Sequence, residues 1–87
     1  MANKRMLKQS IKLVCEELIA ECLAASLYGH NPDGAEALCY SVIRTQADYI
    51  SRISHPEPGM PQHQYYKTLR EDFIKQINDI IDQIHNL

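Results

Sequence analysis

Three amphipathic stretches separated by two helix-breaking runs predict an all-α chain, a three-helix up-down-up antiparallel bundle that pairs with a second copy into a dimeric helical assembly. Three observations carry this expectation. Apolar residues recur at three- and four-residue steps in each stretch, which lines them along one side of a helix. The breakers contain His30-Asn31-Pro32-Asp33-Gly34 and a run with three prolines in six residues. The composition has no tryptophan, one phenylalanine and three glycines, poor material for sheets and their turns. With 87 residues, 45% of them apolar, the chain is one domain spanning 1–87 and too apolar to stay disordered.

The first helix is expected over about residues 4–28, with Asn3 as its N-cap. Leu7, Ile11, Val14, Cys15, Leu18, Cys22 and Ala25 share its core face, and Gly29 suits a left-handed position beyond its end. The breaker that follows is not a hairpin turn, because its flanks lack strand-like alternation. Two starts remain open for the second helix: Asn31 as N-cap with Pro32 in the first position, or a capping box of Asp33 and Glu36.

The second helix covers about 33–53, with Ala35, Leu38, Cys39, Val42, Ile43, Tyr49, Ile50 and Ile53 as its stripe. Gln46 falls inside that stripe and is expected to be a hydrogen-bonded core residue. The run Ser54-His55-Pro56-Glu57-Pro58-Gly59-Met60-Pro61 forbids a helix and favours a stiff connection. The third helix covers about 62–85. Tyr66, Leu69, Phe73, Ile77, Ile80, Ile84 and Leu87 form its apolar line, with ion pairs expected from Glu71 to Lys75 and from Lys75 to Asp79. Helices of this size are about 35 Å long, so the bundle is slender.

Several function classes are disfavoured. A net charge of −2 lacks the basic surplus that nucleic-acid binding needs. No apolar run is long enough for a membrane helix. Lys4 and Arg5 precede an apolar stretch, but Glu16, Glu17 and Glu21 interrupt it, which argues against an export signal. Three cysteines, Cys15, Cys22 and Cys39, are an odd number without paired spacing, so buried free thiols in a reducing cytoplasm are expected.

Enzyme templates fit poorly. Di-iron bundles need glutamates and Glu-x-x-His pairs facing inward, and no such pair occurs. The magnesium-binding Glu-x-x-Glu and Glu-x-x-Asp of small helical nucleotide pyrophosphohydrolases are absent, the nearest approach being Glu17 and Glu21. No Gly-rich phosphate loop or serine–histidine–acid arrangement is present. No catalytic residue, cofactor or metal is assigned.

Two features invite a functional reading. The first helix carries a second apolar stripe of Met6, Leu13, Ala20, Leu23, Ala24 and Leu27 opposite its core face, where a monomeric bundle should be polar. The stripe either packs under the proline-rich loop or the third helix, or forms an interface to a second copy or a helical partner, with Glu16 and Glu17 at the rim. The charges reinforce the second option. Lys4, Arg5, Lys8 and Lys12 begin the first helix, joined in an up-down-up bundle by Arg52, Lys67 and Arg70, while Asp33, Glu36, Asp79 and Asp82 collect at the other end. The leading expectation is therefore a non-enzymatic interaction bundle, acting as a homodimer or as an adaptor for a helical partner. The alternative is a small-ligand or metal-binding module on loop 54–65, lined by His55, Glu57, His63 and Tyr65, although their spacing matches no zinc pattern.

The run from Ser51 to Met60, with Tyr65-Tyr66-Lys67 after it and Ile81-Asp82-Gln83-Ile84 near the end, resembles small bacterial helical proteins of unestablished function. The resemblance covers most of the chain. It implies a helical bundle and adds no chemistry.

Overall fold

The computed structural model describes residues 4–87. Asn3, the expected first N-cap, lies outside the described residues. The order is α1 (Lys4–Tyr28), α2 (Pro32–Ser54) and α3 (Gln62–His85), with no strand among the described residues. The molecule measures 47 × 19 × 18 Å with a radius of gyration of 14.4 Å. A compact chain of this length would have a radius of about 12 Å, so the bundle is a rod.

The helix ends follow from local chemistry. Gly29 closes α1, its N–H donating to the Ala25 carbonyl at 2.8 Å. It does not occupy the left-handed region expected of it, since Gly59 alone among the described residues has a positive φ, at 88°. Glycine is needed at 29 for a different reason: a Cβ there would lie 2.5 Å from the Ala25 oxygen. Asn31 caps α2, its side chain accepting from the Gly34 N–H at 3.0 Å with Pro32 following as the first helical residue. Of the two open starts the chain uses this one, because proline's missing N–H costs nothing in a first turn.

The core is built from one stripe of each helix. The larger cluster joins Leu7, Ile11, Cys15 and Leu18 of α1 to Val42, Tyr49 and Ile53 of α2 and to Tyr66, Leu69, Phe73, Ile77 and Ile80 of α3. A smaller cluster of Cys22, Leu38 and Cys39 packs against Ile84 and Leu87. Tyr49 and Phe73 meet edge to face, with ring centroids 5.2 Å apart.

Three expectations about packing fail. Gln46 is only half-buried and no hydrogen bond fixes it. The buried polar residue is its neighbour Thr45, whose hydroxyl accepts from the Gln76 side chain at 3.3 Å. Ile43 and Val14 belong to the expected stripes yet are exposed. In a bundle of three, the buried arc of α2 centres on Val42, and Ile43 lies about 100° round the helix from it. Neither Glu71–Lys75 nor Lys75–Asp79 forms. An ion pair does form between Asp48 and Arg52 at 2.9 Å, with Arg52 also stacked 4.8 Å from the Tyr49 ring centroid.

The junction of α2 and α3 has a feature of its own. A helix leaves its last carbonyls without intrahelical partners. Here two consecutive tyrosines of α3 supply them: Tyr65 donates to the Arg52 carbonyl at 2.9 Å and Tyr66 to the Ile53 carbonyl at 3.1 Å. The second bond is buried and the first is exposed. Tyr66→Phe should therefore destabilise the protein by about 0.5–1.5 kcal/mol and Tyr65→Phe by less. Ile53→Ala, at a fully enclosed position, should cost about 2–5 kcal/mol. Urea denaturation at neutral pH checks the ranking, and equal losses for the two tyrosines would contradict it.

Candidate functional site

The second stripe of α1 is on the surface. Met6 is 64% exposed, Leu13 63%, Leu23 51% and Leu27 72%, and Ala20 and Ala24 are exposed between them. Neither the proline-rich loop nor α3 covers the stripe, so the intramolecular reading fails. Met6, Leu13, Ala20 and Leu27 stand seven residues apart, which keeps them in one line along about 32 Å of helix at ~1.5 Å per residue. Glu16 and Glu17 flank that line, one on each side, as rim residues would.

Sequence reasoning missed the continuation of this surface onto α2. Tyr40 is 63% exposed and Ile43 50%, with Ala47 exposed beside them. The signal is a three-four spacing of Tyr40, Ile43, Ala47 and Ile50, which the core stripe hides by sharing Ile43 and Ile50 with it.

The loop candidates do not assemble. His55, Glu57 and His63 are exposed, and Tyr65 is half-buried with its hydroxyl committed to the Arg52 carbonyl. A cleft of about 170 Å³ brings Glu57 and Tyr65 together with Arg52, Met60 and Asp72, but neither histidine lines it. The Arg52 guanidinium is already engaged by Asp48 and Tyr49. Among the described residues no group of three or more His, Cys, Asp or Glu is arranged to hold a metal ion. Likewise no helix among them is long and apolar enough to cross a membrane.

All three cysteines are buried and unpaired, as expected. Burial raises the Cys15 thiol. Cys22 is pushed from 9.0 up to about 11, first by burial, then by the neighbouring Cys39 thiol and by the charge of Glu21. A raised, enclosed thiol such as Cys15 or Cys22 is the opposite of an activated nucleophile.

Comparison with protein-family models, with curated proteins and with solved structures finds no match, so the functional reading rests on the residues themselves.

The thiols generate a pH prediction. Below pH 9 Cys22 is protonated in both folded and unfolded chains, and its contribution is fully present. Between 9 and about 11 the unfolded chain releases the proton while the folded one retains it, so stability falls as pH rises. Burial raises Tyr49 as well, so the fall is shared. Chemical denaturation from pH 8 to 11 should show this decline, made shallower by Cys22→Ala. An unchanged slope in that variant would refute the assignment.

Proposed function

We propose that the chain is a non-catalytic interaction bundle of the reducing cytoplasm that forms a two-fold homodimer through α1. The observation that carries this reading is the exposed line Met6–Leu13–Ala20–Leu27 with Leu23 beside it. Exposed apolar patches beyond a few hundred Å² are uncommon on monomers. The total accessible surface of 6164 Å² also exceeds the ~5,200 Å² usual for a monomer of this mass.

We infer an up-down-up arrangement within each copy. Thr45 meets Gln76, Tyr49 meets Phe73 and Ile53 meets Tyr66, so position numbers rise along α2 as they fall along α3. Cys22 of α1 shares a cluster with Leu38 and Cys39 of α2, close to the Gly29–Asn31 connection. Such short connections suit antiparallel neighbours.

Charge supports an antiparallel α1–α1 pairing. The first half of α1 is basic, with Lys4, Arg5, Lys8 and Lys12, and the second half acidic, with Glu16, Glu17 and Glu21. Its first turn contains no acidic residue, an unfavourable arrangement against the helix dipole. A second α1 running the other way sets each basic half beside an acidic one. Such a surface is complementary to itself, as a two-fold interface requires. The whole line Met6, Leu13, Ala20 and Leu27 forms the seam, with its centre between Leu13 and Ala20, and Ala20 allows close approach.

Light scattering at about 50 µM tests the reading by mass, against the 10.0 kDa of one chain. The expected result is twice the chain mass for the wild type, and one chain mass with unchanged helical circular dichroism for Leu13→Glu combined with Leu27→Glu. A monomeric wild type overturns the homodimer, as does a dimer that survives both substitutions. A monomer that binds a helical partner through Leu13 and Leu27 would support the adaptor role instead.

A further inference from the structure

We propose that the dimer is held by a two-helix face, α1 together with α2, so that four helices meet at its centre and α3 lies on the outside of each copy. This rests on the α1-mediated homodimer proposed above and extends it to Tyr40, Ile43 and Ala47.

The first argument is area. Side chains of this size with half to three-quarters of their surface exposed present on the order of 100 Å² each. The four large ones on α1 therefore offer roughly 400 Å², well short of the ~800 Å² per partner that a stable specific interface buries. Tyr40 and Ile43, with the exposed alanines and the stems of flanking side chains, bring the face towards that size.

The second argument is the division of α2 into three faces. At about 100° per residue, Thr45 and Tyr49 point towards α3, where they meet Gln76 and Phe73. Continuing round the helix through Val42, Cys39 faces Cys22 of α1. The next step beyond α1 reaches Ile43, followed by Ala47 and Tyr40. Arg44, Asp48 and Arg52 stand four residues apart and form a separate charged ridge on the remaining side. The line of Tyr40, Ile43, Ala47 and Ile50 therefore carries no charge of its own, with Glu36 one turn before it and Arg44 beside it at the rim. Depletion of charge along that line, with a large exposed tyrosine, is the composition of an interface core rather than of solvated surface.

The third argument is continuity. On α1, which runs opposite to α2, moving outward from Cys22 passes the half-buried Ile19 and reaches Leu23 and then Leu27. Leu23 and Leu27 sit near the C-terminal end of α1, beside the N-terminal half of α2 that holds Tyr40 and Ile43. The two apolar strips thus lie side by side, with the exposed Glu36 at their N-terminal edge on α2. The exposed Ile74 of α3 has no such continuation, being flanked by Arg70, Glu71 and Asn78. A second copy is the occupant that fits, because it brings the same apolar line and the self-complementary charges of α1.

Sedimentation equilibrium of the full chain tests this with Tyr40→Lys combined with Ile43→Lys, both at exposed positions. The expected result is association weakened at least a hundredfold, in favour of monomer, with helical circular dichroism retained and with Ile74→Lys remaining dimeric. If the double variant loses helicity, Ala47→Arg serves in its place and should dissociate the dimer likewise. A dimer of wild-type affinity in the folded variant overturns the two-helix face. If Leu13→Glu with Leu27→Glu still yields monomers, the α1 reading survives that result. A monomeric wild type removes both.

Discussion

The circumference of α1 is the constraint on which the rest of the structure depends. A helix in a three-helix bundle has two neighbours, and their side chains cover one arc of it. Leu7, Ile11, Cys15, Leu18 and Cys22 fill that arc and account for the core contribution of α1. Met6, Leu13, Ala20, Leu23 and Leu27 lie outside it and stay exposed to water in a single copy. In water an exposed line of leucines is a standing cost, since roughly 25 cal/mol per Å² is recovered only when the surface is covered. The elongated shape follows from the same source: three long helices give a narrow core and much surface.

Within one copy, two kinds of interaction divide the work. Close packing of small and branched side chains, with Cys15, Cys22, Ala35 and Val42 fully enclosed, holds α1 to α2. The contact of α2 with α3 is made by larger groups: the edge-to-face pair of Tyr49 and Phe73, the Thr45–Gln76 hydrogen bond and the two tyrosine hydroxyls on the last turn of α2. Those tyrosines tie the proline-rich connection at both ends. The loop cleft is consequently a by-product of that tie, with its arginine and Tyr65 hydroxyl already engaged.

Much of this was legible in the sequence, for identifiable reasons. Helix bounds of 4–28, 33–53 and 62–85 stand within a residue of those observed, because Gly29, Asn31-Pro32 and the proline run act locally. The exposed stripe of α1 was legible because it stands opposite an unambiguous core stripe. What failed depended on the tertiary arc. A three-four spacing admits Ile43 as readily as Cys39, and only the positions of α1 and α3 decide which faces inward. The same ambiguity exchanged Gln46 for Thr45. The tyrosine caps were invisible because they join residues thirteen positions apart through a loop whose path proline alone does not specify. Of the loop candidates, Glu57 and Tyr65 converge on the cleft while His55 and His63 point elsewhere, since their proximity in sequence carried no geometry.

The central claim is that covering the outer side of α1 is part of the folded state. Thermal unfolding followed at 1 µM and 100 µM protein tests it most directly. If two copies unfold together, mass action adds about 2.7 kcal/mol per dimer across a hundredfold range, and the midpoint should rise by several degrees. A midpoint independent of concentration, in a protein that also sediments at the mass of one chain, would contradict the account.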